Sequence, residues 1–82
     1  MTLVLLPQAQ EDLDAIFDPV LSRIVKRLRL LERFPELGAP MLGQFDGYRS
    51  TVVAMFRIVY RVKPAGTIEV AYIRHCRRRP PA

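Results

Sequence analysis

The spacing of apolar residues changes twice along this chain, and each change marks a different kind of element. Leu3 to Leu6 is a continuous apolar run closed by Pro7, too short for a helix, and predicts a buried first strand. From Gln8 onward Ala9, Leu13, Ile16 and Phe17 fall at i, i+4, i+7 and i+8, one face of a short amphipathic helix. Glu11, Asp12 and Asp14 lie in its first turns, where the helix dipole favours negative charge. Asp18-Pro19 then reads as an N-cap followed by proline at the first helical position. The second helix runs to about Phe34, with Val20, Leu21, Ile24, Val25, Leu28 and Leu31 on one side and Ser22, Lys26, Arg29 and Arg33 on another. Pro35 ends it, and Gly38, Pro40, Gly43 and Gly47 mark a loop. Two helices joined with almost no linker predict an antiparallel hairpin.

After Gly47 the period becomes two. Tyr48 to Val53, Phe56 to Val62 and Thr67 to His75 read as three strands, with Lys63-Pro64-Ala65-Gly66 turning the chain between the last two. In the middle strand Phe56, Ile58, Tyr60 and Val62 point one way and Arg57, Val59 and Arg61 the other, because successive side chains alternate across a sheet. The helices need an apolar surface to cover, so they take the Phe56/Ile58/Tyr60 side, which makes those aromatics core and leaves Arg57 and Arg61 on an open face. The expected class is α+β, in the order β-α-α-β-β-β, with a helical hairpin on one face of a small, mainly antiparallel sheet.

Length and composition narrow the chemistry. Eighty-two residues make a single domain spanning 1–82, and a hydrophobic content of 50% is ample for a core. One cysteine excludes an internal disulfide, and one histidine beside it cannot supply a zinc site, so neither metal nor cofactor is expected. The N-terminus lacks the basic start and apolar length of a signal peptide or membrane span, which points to a cytoplasmic protein with no membrane partner.

Charge is divided unevenly. Residues 1–48 carry five Lys/Arg against seven Asp/Glu, and residues 49–82 carry eight against one, so the halves hold −2 and +7 of the net +5. The last strand ends in Arg74-His75-Cys76-Arg77-Arg78-Arg79, and residues 77–82 read as an exposed basic and proline tail. Such a distribution points to an acidic partner, the alternative being a solvated basic tail that keeps a small protein soluble. Cys76 beside His75 is no nucleophile pair while the strand continues, because adjacent residues face opposite ways, so Cys76 reads as a bystander thiol.

Five pieces in order resemble one family: Pro7-x-Ala9-x-x-Asp12-Leu13-x-x-Ile16, Leu31-x-x-Phe34-Pro35-x-Leu37-Gly38, Gly47-Tyr48-Arg49, Phe56-Arg57-Ile58-Val59-Tyr60-Arg61-Val62 and Ile73-Arg74-His75-Cys76-Arg77-Arg78. Together they resemble the RelE/ParE superfamily of toxins from type II toxin–antitoxin pairs, a family associated with growth arrest and plasmid stabilisation. The resemblance implies a cognate antitoxin, a toxin–antitoxin hetero-oligomer and one of two targets. RelE-like members cut mRNA on the ribosome without a metal, and for that chemistry the matching residues are Arg57, Arg78 and, as acid or base, His75. The C-terminal tyrosine of those nucleases has no counterpart here, and Cys76 stands where glycine is frequent. The ending is closer to ParE-like toxins, so DNA gyrase is the expected target, contacted by Arg49, Arg61, Arg74, Arg77 and Arg79. Ribosome-dependent cleavage is the alternative, and a non-toxic basic module that binds nucleic-acid backbone ranks third.

Overall fold

The strand Phe56–Val62 (β4) is the axis of the molecule. In the computed structural model, which describes residues 2–77, it lies at the centre of a five-stranded sheet. The other strands are β1 (Thr2–Leu5), β2 (Ala39–Pro40), β3 (Arg49–Val53) and β5 (Thr67–His75), in the order β1-β5-β4-β3-β2. Only β1 with β5 is parallel; β2 with β3, β3 with β4 and β4 with β5 are antiparallel. Two helices, α1 (Pro7–Asp14) and α2 (Val20–Arg33), pack on one face, α1 along β5 and α2 against β1 and β3.

Alternation on β4 sorts the two faces as expected. Ile58 and Tyr60 join Ile24, Leu31, Ile68 and Val70 in a fully enclosed core under the helices. Val59, on the other face, is equally enclosed. That face is only half open, because residues 43–48 fold back across it and set the Phe45 ring 6.0 Å from Tyr72, the cross-strand partner of Val59. Tyr72 is therefore buried as well. No local pattern announces this crossing.

Several expectations need correction. The first strand is not buried on both sides: β1 has a neighbour only at β5, so Leu3 and Leu5 face the core while Val4 is 42% exposed. Because α1 stops at Asp14, the helical period lapses, Ile16 enters the core and Phe17 swings out to 80% exposure. The acids of α1 fill its second half and not its first turn, so the dipole gives them nothing; Gln8 and Gln10 instead donate to Asp12 and Asp14 one turn on, each at 2.9 Å. Asp18 does cap α2, but from one residue further back, accepting the Ser22 N–H at 3.0 Å and the Ser22 hydroxyl at 2.5 Å.

The expected loop after α2 contains β2, which only its pairing with Arg49 and Ser50 creates. Gly38 lies just before it because nothing larger fits: a methyl group there would meet the Tyr60 hydroxyl at 2.7 Å and the Ser50 carbonyl at 2.8 Å. The hydroxyl donates to the Pro35 carbonyl at 2.7 Å and accepts the Gly38 N–H at 2.9 Å, fastening this segment to the central strand. Burial raises the Tyr60 pKa above its ordinary 10.0, outweighing the Gly38 hydrogen bond and the Arg49 charge that lower it. The folded state thus keeps this proton to higher pH than the unfolded chain, so its contribution to stability is whole below pH 10.0 and is lost as pH rises through the folded value. Tyr60→Phe strands a buried N–H and C=O, and urea melts at neutral pH should show a loss of about 1–3 kcal/mol. The same variant should lose less stability than wild type above pH 10; an identical alkaline decline in the two proteins would show that Tyr60 is not its source.

Candidate functional site

Where β1 ends, the β5 main chain from residue 71 onward has no strand on the side away from β4, and α1 takes the place of one. Asp12 makes the junction. Its Oδ2 accepts the Ile73 N–H at 2.9 Å, and its Oδ1 lies 3.5 Å from Arg74 Nε as well as receiving Gln8. Arg74 is directly across from Arg57 on β4, two like charges in a cross-strand pair. Such a pair is unfavourable by itself; the carboxylate on Arg74 offsets it.

The outer face of the sheet thus presents Arg57 and Arg74, with Tyr72 two residues back on the same side of β5. Arg57 is exposed, and no side chain among the described residues bonds it. Burial raises the Tyr72 pKa, against the opposing pull of Arg57 and Arg74, so its phenol stays protonated at neutral pH. Beside it, Phe45, Tyr48, Gln8 and Gln44 line an open depression of about 340 Å³.

The remaining candidate residues disperse. Arg49 donates to the Gly38 carbonyl at 2.7 Å and to that of Glu36 at 3.4 Å, bracing the β2 segment. Arg61 pairs with Glu69 at 3.0 Å and lies over the Tyr48 ring at 5.4 Å. His75 pairs with Phe56 and so faces the helical side, opposite Arg57, with its ring edge-on to Phe56 at 5.5 Å. Its Nδ1 accepts the Arg77 N–H at 3.2 Å, which leaves the neutral ring's proton on Nε2. Arg77 is exposed beyond the strand. Arg78, Arg79 and most of the expected tail lie outside the described residues. Cys76 is exposed in the turn after β5, where its N–H donates to the Met55 carbonyl at 2.8 Å.

The two residues that sequence reasoning undervalued are Asp12, read as a dipole residue, and Tyr72, which lies within the last strand and was not singled out. Alternation from Arg74 was signal enough to find Tyr72. Among the described residues no group of three or more His, Cys, Asp or Glu is arranged to hold a metal ion. No helix among them is long and apolar enough to cross a membrane.

The family model described as the ParE toxin of the type II toxin–antitoxin system parDE matches residues 3–80. The chain belongs to the ParE toxin family. No curated protein matches it. Among solved structures it is similar to the toxin–antitoxin complex RelBE2 from Mycobacterium tuberculosis, at 23% identity over 90% of this chain and 95% of that one, with a TM-score of 0.82. It is also similar to the intact E. coli RelBE complex, at 18% identity over 94% and 98% with a TM-score of 0.79. The chromosomal ParDE system of P. aeruginosa matches at 25% identity over 92% and 95%, with a TM-score of 0.75. The two RelBE likenesses are likenesses of fold; membership of the ParE family rests on the sequence model. As a ParE-family chain it is a type II toxin.

The Asp12 junction is open to test. Asp12→Ala leaves the Ile73 N–H and Arg74 unpartnered, and denaturant unfolding should register a loss of about 1–3 kcal/mol. Asp12→Asn keeps an acceptor for Ile73 and should cost less; equal losses in the two variants would mean that the charge, and not the cover of the strand edge, is what matters.

Proposed function

We propose that this toxin inhibits DNA gyrase through the outer sheet face and the basic segment after β5, and that an acidic antitoxin encoded beside it holds it inactive. The observation that carries the choice of target is the separation of Arg57 from His75 onto opposite faces of the sheet. Metal-free RNA cleavage needs a base, an acid and cations around one phosphate. Here the titratable imidazole is on the wrong side of the strand for Arg57. Gyrase inhibition asks only for a surface, and the ParE family match over residues 3–80 favours the ParE-like reading, for which gyrase is the expected target. Arg57 and Arg77, both exposed, are the contacts in this reading. Arg74 supports them from its place on Asp12, and Arg78 and Arg79 add charge. The antitoxin follows from the family and from the +7 of residues 49–82, which suits an acidic chain that folds on contact. A cytoplasmic location goes with such a target.

Ribosome-dependent mRNA cleavage is the second reading, favoured by the grouping of Arg57, Arg74 and Tyr72 on one face. In it Tyr72, held protonated, serves as acid and not as base.

Induced expression should arrest growth, and co-expression of the adjacent reading frame should relieve the arrest. Purified toxin should block supercoiling by gyrase and leave mRNA whole in a translating extract. Site-specific mRNA cuts with gyrase unaffected would reverse the order of the two readings, and harmless expression would end both.

A further inference from the structure

We propose that the depression between the start of α1 and residues 44–48 takes one aromatic side chain, flanked by an acidic residue, from the protein that the toxin acts on. That this protein is gyrase rests on the proposed function; the chemistry of the depression does not. A bulge shapes it. On β5 the register passes from Tyr72, opposite Val59, to Val70, opposite Tyr60, so Ala71 is an extra residue with no partner on β4. Neighbours in a regular strand face opposite ways, and a bulge re-aims one of them. Ala71 and Tyr72 accordingly line the same depression, where Ala71 contributes only a methyl group. Phe45 meets the Tyr72 ring at 62° and the Tyr48 ring at 88°, edge to face in both cases. Rings set edge to face leave faces free for a further ring. Arg61 already lies over Tyr48, so Phe45 and Tyr72 are the rings that remain for it.

Size, polarity and charge each narrow the occupant. A volume of about 340 Å³ is at the low end of ligand sites, which span roughly 300–1,000 Å³, so there is room for one ring system. The depression is open, which suits a ring carried in on a larger surface. Gln8 selects the polar group: its amide nitrogen donates to Asp12 at 2.9 Å, which leaves its carbonyl oxygen to accept from an indole N–H or a phenol O–H. Burial raises the Tyr72 pKa, and Arg57 and Arg74 lie near enough to act against that rise, so both guanidinium groups flank the depression on the Tyr72 side. Arg74 has the Asp12 carboxylate 3.5 Å away, whereas Arg57 is exposed and has no side-chain partner among the described residues. One uncompensated cation matches one carboxylate beside the ring. A nucleotide would bring a phosphate of nearly two negative charges to a rim that holds a single free guanidinium and the Asp12 carboxylate. An aromatic anchor in a pocket with a charged pair at its rim is the pattern of a protein–protein hot spot.

The test uses the full chain and three capped dipeptides, acetyl-Trp-Glu-amide, acetyl-Trp-Lys-amide and acetyl-Ala-Glu-amide, with AMP as the nucleotide arm. Binding is read by NMR from the Gln8 side-chain amide and the Tyr72 ring. At low ionic strength the Trp-Glu peptide should bind at least about fivefold more tightly than the other two peptides and AMP. Arg57→Glu, an exposed change outside the core, should reverse the order of the Trp-Glu and Trp-Lys peptides. Ala71→Leu, which fills the depression, should weaken both. Absence of shifts at Gln8 and Tyr72, equal affinity for the Trp-Glu and Ala-Glu peptides, tighter binding of AMP, or an Arg57→Glu variant that still prefers Trp-Glu would each overturn the proposal. None of these readouts involves gyrase, so the two readings fail separately: a toxin that binds the peptide and spares gyrase removes the target, and one that inhibits gyrase and ignores the peptide removes the site.

Discussion

The Asp12 carboxylate joins α1 to the open end of β5 and to the arginine pair on the outer sheet face. Its two oxygens cover the strand edge that β1 leaves open, by accepting the Ile73 N–H, and lie against Arg74 from the same helix. An unpaired main-chain N–H at a partly enclosed edge is costly, and so are two arginines facing each other across a ladder. One side chain relieves both. Its effect on the surface is indirect: with the carboxylate 3.5 Å from Arg74 Nε, Arg57 across the ladder keeps no side-chain partner among the described residues.

The same logic separates several of the basic residues into two groups. Arg27, Arg49 and Arg61 are committed to a hydroxyl, to main-chain carbonyls and to Glu69 with Tyr48, and their cost of desolvation is repaid inside the fold. Arg23, Lys26, Arg57 and Arg77 are exposed and lie on two separate surfaces, the groove between α2 and the end of β3, and the outer sheet face with the turn beyond it. A toxin that must be held by one partner and act on another needs two such surfaces. Net charge alone would not have distinguished them.

What could be read from residues follows from how local each signal is. β4 and β5 have the expected bounds because period-two alternation and the Lys63–Gly66 turn are local patterns, and the apolar and polar sides of α2 are equally plain. β2 exists only through its pairing with Arg49 and Ser50, and the Ala54–Met55 turn uses positive φ without a glycine to announce it. Residues 43–48 cross the outer face through Phe45 and Tyr48 contacts that no periodicity encodes. At the site, alternation correctly sends Arg57 away from the core. It also puts His75 on the opposite side, a consequence that residue type alone obscures. The Asp12 junction spans 61 residues of sequence to Ile73 and has no local signature.

The central claim is that the outer sheet face, and not the His75 side, meets the target. It is tested most directly by the dose of purified toxin that half-inhibits gyrase supercoiling, compared between Arg57→Ala and His75→Ala. Loss of a charge-assisted contact at Arg57 should raise that dose by about tenfold or more. His75→Ala, which removes a ring resting on Phe56, should leave it nearly unchanged. Equal loss in both variants, or loss at His75 with none at Arg57, would contradict the account.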